Sequence, residues 1–289
     1  MKNINPIISE FIKLGLIKRK NFKFVGYANR GKKVKVFRDK KTNIFFLEKY
    51  LVSNNYYSND RIMNKDKIKK YLKMLSFDDK RRYNQFKKHL SNKSILDFGC
   101  EFGGFLNLIK NFKKKFGVEL NKNCINYINK NSKNIVVTNN IKNIDNKFDV
   151  ITLFHVLEHL PNQVDILIEL KDKLKKGGKI ILEVPSANDI LLSIDELHSF
   201  KSFTFWHEHL ILHTIQSLKK ILLKAGFKEI KIIEYQRYDL SNHLGWFLKR
   251  KPGGHVYFKN LVDIKSKLNY ENYLVKNHKT DTLIATARK

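Results

Sequence analysis

Asp97, Gly99, Glu101, Gly103 and Gly104 fall within eight residues, between the apolar run Ile95-Leu96 and a helical apolar pattern that begins at Phe105 and Leu106. Glycines in such a loop allow a tight turn and let the backbone approach a ligand closely. A second short run, Lys115-Phe116-Gly117-Val118, ends on Glu119, 22 positions beyond Asp97. An acid at that distance suits the hydroxyls of a ribose. The spacing predicts a strand, a loop and a helix start, with a nucleotide lying over the C-terminal edge of a parallel sheet.

The residue types narrow the nucleotide. Gly99 and Gly104 match the outer glycines of G-x-G-x-x-G, but Glu101 occupies the middle position. There a dinucleotide would set its pyrophosphate against a carboxylate. S-adenosylmethionine (SAM) has no phosphate and carries a sulfonium and an ammonium. Asp97 suits that ammonium, so SAM is the better fit.

On these residues the chain resembles the class I SAM-dependent methyltransferases, whose first motif reads roughly D-x-G-x-G-x-G. Asp97, Gly99 and Gly103 match it, and Glu101 departs from it. The likeness continues through Glu119, the run from Phe148 to Leu160 (FDVITLFHVLEHL), the run from Leu174 to Pro185 (LKKGGKIILEVP) and a final strand near residues 282–287. It implies an α/β fold with a Rossmann-like, doubly wound, mostly parallel sheet and an antiparallel last strand. It also implies a SAM site at Asp97, Gly99, Cys100, Glu101, Gly103, Glu119, Leu120, Phe154 and His155, with Asn139 or Asn140 on the adenine edge.

Methyl transfer from a sulfonium needs acceptor, methyl and sulfur held in line, and a hydroxyl acceptor gains from a nearby base. Imidazole suits that task at neutral pH. His155, His207 and His209 are the catalytic candidates; His159, His213, His243 and His255 lie near the same expected strand ends. The stretch from Phe205 to Phe227, with residues 241–244, 251–255 and 281–283, is similar to methyltransferases of bacterial surface-polysaccharide pathways. That likeness implies O-methylation of a sugar or small hydroxylated acceptor. The run from His155 to His159 is also similar to the metal-holding Glu-x-x-Glu-His element of RNA 2′-O-methyltransferases. His155 replaces one carboxylate there, so no metal is expected, and RNA is the alternative acceptor. A non-catalytic SAM-fold partner protein is the third reading.

The elements that position these residues divide the chain in two. Residues 1–90 read as an accessory cap: a helix bearing Ile7, Ile8, Phe11, Ile12 and Leu16, a β-meander over residues 22–48, and two helices. The first of those carries Ile62, Ile68, Leu72 and Leu75, and the second starts at Asp78-Asp79. Residues 91–289 read as the methyltransferase domain. Strands are expected at 94–98, 115–119, 134–138, 148–154 and 179–184, and helices near 103–112, 122–131 and 163–175. Thr214 should cap a helix ending at Gly226, before a strand at 228–235. The segment 236–281, with Trp246 and a helix near 257–275, is long enough to serve as an acceptor-binding or lid insertion.

The 289 residues suffice for a full core, and no apolar stretch approaches a membrane span. Two cysteines, Cys100 and Cys124, make no disulfide framework, and a reduced cytoplasmic setting is expected. The net charge of +30 comes from lysines spread along the whole chain. It favours anionic acceptors and allows peripheral contact with an anionic membrane, without singling out nucleic acid. Oligomeric state is open.

Overall fold

A computed structural model describes residues 3–52, 56–57 and 65–289, without the side chains of 65–67. Helix α1 (Pro6–Lys13) starts at Asn5, whose side-chain oxygen accepts the Ile7 amide. Three antiparallel strands follow, β1 (Phe22–Ala28), β2 (Val34–Asp39) and β3 (Phe45–Leu47). Where the sequence predicts two helices there is one, α2 (Lys65–Leu90). No glycine or proline interrupts it, and Asp78 and Asp79 lie mid-helix with their charges met by arginines instead of starting a new helix. Ile62 lies outside the described residues.

The wound units come next: β4 (Ser94–Phe98), α3 (Gly104–Leu108), β5 (Lys114–Val118), α4 (Lys122–Asn131), β6 (Val136–Thr138), β7 (Phe148–Phe154), α5 (Gln163–Lys173) and β8 (Leu174–Pro185). Helix α6 (His198–Thr204) and the two-residue strand β9 (Ile211–Leu212) lead to α7 (Ile215–Lys224), which has a capping box between Thr214 and Ser217. Strand β10 (Lys228–Tyr235) precedes α8 (Leu240–Lys249), the single turn α9 (Gly254–Tyr257), α10 (Ile264–Lys276) and β11 (Thr282–Arg288). The insertion is thus mostly helical, with three pieces where the sequence predicts one.

Seven strands form the main sheet in the order β10-β11-β8-β7-β4-β5-β6. Strands β4 to β8 pair in parallel, and β11 runs antiparallel between β8 and β10. This is the Rossmann-like sheet the resemblance implies. Its central strands β4 and β7 read as largely apolar runs because both faces are covered. The smaller sheet has the order β1-β2-β3-β9, so a strand from after β8 completes the N-terminal meander. Buried Asn5 reinforces that seam, its amide donating to the carbonyls of Leu47 and Leu210 at 2.9 and 3.0 Å.

Gly99, at φ +81°, turns the chain at the end of β4, and a Cβ there would lie 2.3 Å from Val156 Cγ2. Backbone conformation and close approach both require glycine. Gly99→Ala should cost at least about 1–2 kcal/mol from the left-handed backbone alone, read as a lowered urea midpoint with unchanged slope.

Candidate active site

A cavity of about 1550 Å³ opens over the C-terminal ends of β4, β5 and β7. Its lining includes Asp97, Gly99, Cys100, Glu101, Glu119, Leu120, Asn139, Asn140, Phe154 and His155, all expected from the sequence. Gly103 is the exception. At φ +71° it begins α3, but an added Cβ would face Ile128 and Ile135 in the core, so it shapes the loop without lining the cavity.

Four carboxylates meet here. Asp97 Oδ1 accepts the Thr152 hydroxyl at 2.6 Å, and burial pushes the Asp97 pKa up to about 7. Glu119 accepts the amides of Glu101 and Asn121 at 2.9 and 2.8 Å. Glu101 accepts the Tyr71 hydroxyl at 2.9 Å. Asp79, reaching over from α2, is raised to about 6, and burial also raises Glu101 and Glu119. Desolvation disfavours each charge, and acidic neighbours add to the effect at Asp97 and Glu101. A cationic ligand relieves this strain, whereas a pyrophosphate would add to it. Glu101 itself sits at φ +45°, the left-handed conformation that glycine adopts freely.

The expected histidines separate. His155, at φ +56° just beyond β7, stands between two buried acids: Nδ1 is 3.2 Å from Glu158 and Nε2 is 3.2 Å from Glu183. Burial alone would lower its pKa, but the two carboxylates outweigh that and raise it. Glu158 is held down to about 2 and Glu183 falls well below the usual range. Both ring nitrogens of His155 thus face buried carboxylates, an arrangement that favours holding a proton over taking one up. His207 sits elsewhere. Its Nδ1 donates to the Arg30 carbonyl at 2.9 Å and it packs against Gly31, outside the cavity lining. His213 contacts Ser217, His243 contacts Tyr270, and His255 contacts Asn242, and none of the three lines the cavity. Trp246 packs between Phe200 and Phe203.

His209 does line the cavity, and burial lowers its pKa to about 3, with His159 contributing. It is therefore a neutral imidazole, and its Nδ1 is buried with no hydrogen-bond partner among the described residues. Its ring lies 4.8 Å from that of His159 and 5.5 Å from Trp206. Tyr56 and Tyr57 extend this aromatic wall, with Tyr57 Oη 3.3 Å from His159 Nδ1 and Tyr56 donating to Glu208 at 2.6 Å. Ligand-capable atoms of Glu158, His159 and His209 lie within 4.8 Å of one another, so these three are the described residues that can hold a metal ion.

Residues that the sequence reading missed come mainly from α2. Tyr71, Asp79 and Arg82 all line the cavity. Arg81 and Arg82 each donate to Glu183, at 2.8 and 2.7 Å for the shortest contacts, and Arg237 pairs with Asp78. The available signal was Glu183 itself, an acid inside the apolar run from Ile180 to Val184.

A family model described as a methyltransferase domain matches residues 68–232, more than half of the chain. The chain belongs to this methyltransferase family. It is a class I, SAM-dependent methyltransferase, and the acid-lined cradle suits that cationic cofactor. Among curated relatives it is 28% identical over 175 residues to a tRNA U34 carboxymethyltransferase of Nautilia profundicola, covering 55% of this chain and 56% of the relative. It is 31% identical over 151 residues to an uncharacterized protein of Methanocaldococcus jannaschii, covering 46% of this chain and 61% of that one. The methyltransferase thus matches between about half and three fifths of these relatives' length. A SAM-dependent methyltransferase of Archaeoglobus fulgidus superposes with a TM-score of 0.51 at 21% identity, over 75% of this chain and 94% of that one. Phosphoethanolamine N-methyltransferase 2 of Haemonchus contortus gives 0.54 at 14% identity, over 85% and 62%. These two likenesses concern the fold.

The histidine environments can be checked directly. Imidazole nitrogen spectra should show His155 titrating above its ordinary 6.5 and His209 staying neutral down to about pH 3. A His209 midpoint near that of a free imidazole would contradict the buried geometry.

Proposed function

We propose that this methyltransferase moves the methyl group of SAM onto a hydroxyl of a sugar or similar small polyhydroxylated acceptor, as in surface-polysaccharide assembly. The observation that carries the reading is neutral His209, set in an aromatic wall beside the acid-lined cradle. Aromatic faces cover the apolar side of a sugar ring, while His209 and Glu208 address its hydroxyls.

When bound, SAM supplies a methyl group made electrophilic by the sulfonium. Asp97 takes the ammonium, Glu119 the ribose hydroxyls, and Asn139 or Asn140 the adenine edge. Gly99, Cys100, Leu120 and Phe154 flank the cofactor, and Glu101 adds negative potential near the sulfonium. The imidazole of His209, which lines this part of the cavity, orients the acceptor hydroxyl and fixes the line of attack. With the cofactor bound, an acceptor oxygen gaining the methyl group as the carbon–sulfur bond is given up would be far more acidic than an imidazolium. Even this weakly basic imidazole then takes the proton. His155 acts as a positioning residue that holds Glu158 in place. Residues 1–90 cap the site, and the insertion at 236–281 borders it through Arg237.

A second reading, transfer to RNA, draws on one specific observation: curated relatives over half of the chain are named tRNA U34 carboxymethyltransferases. Labelled-methyl transfer across nucleotide sugars, lipid-linked glycans and short RNAs separates the two. Label in RNA, with steep salt dependence and loss on chelation, would replace the sugar reading.

Two outcomes follow for the site. Asp97 must ionise to bind the ammonium, so affinity for S-adenosylhomocysteine should fall about tenfold per pH unit below pH 7. Calorimetry should find that dependence lost in Asp97→Asn and kept in Asp79→Asn; an Asp97→Asn variant that retains it contradicts the assignment. His209→Gln should lower kcat by about a hundredfold or more with unchanged donor affinity in single-turnover assays.

A further inference from the structure

The insertion carries an exposed apolar face that the active site does not use. Ile264, Leu268 and Val275 on α10 stand at i, i+4 and i+11, within about 40° of one another around the helix. Ile264 is 77% exposed and Leu268 53%, while the buried side of α10 is formed by Leu274 about a quarter turn away. Leu261 (73%) in the preceding loop and Val256 (69%) on α9 are also exposed. Exposed apolar residues are ordinary when scattered, but a cluster of this density marks a contact surface.

The charge around the face indicates what covers it. Residues 240–276 hold seven lysines and arginines against two acids, Asp263 and Glu271. Lys265 and Lys276 lie beside the stripe on α10, and Lys249 and Lys251 extend over the Tyr257 ring at 4.4 and 5.2 Å. We propose that this face seats the protein on an anionic lipid surface, with Leu261, Ile264 and Leu268 entering the headgroup–acyl boundary. Aliphatic side chains gain from a bilayer, while the lysine stems reach up to the phosphates. RNA would satisfy the lysines but leave the aliphatic stripe in water. A second copy would cover the stripe, but would bring another chain of net charge +30 against it. The insertion begins beside Arg237, which lines the cavity, so the seated face and the acceptor site belong to one continuous segment.

The inference stands apart from the identity of the acceptor and is tested without it. Full-length protein should float with vesicles rich in phosphatidylglycerol and not with pure phosphatidylcholine, less so as salt rises. The triple variant Leu261→Glu, Ile264→Glu, Leu268→Glu should partition at least about tenfold more weakly. Its melting temperature and its affinity for S-adenosylhomocysteine should be unchanged, because all three side chains face solvent. Equal flotation on both lipids, no flotation of the wild type, or a triple variant that floats like the wild type overturns the proposal. So does a wild-type dimer in light scattering that the triple variant abolishes, because the face is then an interface between copies.

Discussion

The buried carboxylate of Glu183 is the joint on which the site depends. Lying within β8, it receives Arg81 and Arg82 from α2 and sits against His155 from the loop after β7. A lone ionised acid there would be untenable in an apolar sheet. Two guanidinium groups and the His155 ring make it tolerable, and the arginines in doing so fix α2 across the sheet edge. The stacked rings of Phe86 and Phe154 add an apolar contact along the same seam. Pairs of this kind gain little net stability, whereas losing one partner typically costs about 3–5 kcal/mol because the remaining charge is stranded. The arrangement therefore specifies geometry more than it adds stability. It places Asp79 and Tyr71 over the cofactor loop.

The cavity is electrostatically divided. Around the loop after β4, four acids are crowded and desolvated, so their pKa values rise. Around the turn after β7 and the segment before β9, burial instead keeps His209 neutral. One region attracts positive charge, and the other presents a neutral imidazole beside aromatic rings. A methyl donor bearing a sulfonium suits the first region, and the proposed hydroxylated acceptor would suit the second. His155, central in the sequence motif, lies between the two regions with both of its nitrogens facing buried acids.

Much of this was legible in the sequence where the governing contacts are local. Gly99, the acids at 97 and 119, and the alternation of short apolar runs with helical patterns led directly to the parallel sheet and its cradle. The Thr214 cap was equally readable, since its partner Ser217 is three residues away. The readings failed where long-range contacts decide. Asp78-Asp79 resembled a helix start, but arginines one turn along and distant Arg237 hold both acids inside a single helix. The fate of His155 turned on Glu183, which is distant in sequence, and that of His207 on Arg30 in the small sheet. Spacing along the chain carries no trace of such encounters.

The short strand β9 has a consequence for how this architecture can vary. It follows His209 by one residue and hydrogen-bonds to β3, while Asn5 ties Leu210 to the same strand. The wall that faces the acceptor is therefore sewn to a sheet made mostly from the start of the chain. Changes in β1 to β3 can shift that wall without altering any residue that touches a ligand. Acceptor preference can thus drift through the N-terminal sheet while the donor cradle stays as it is.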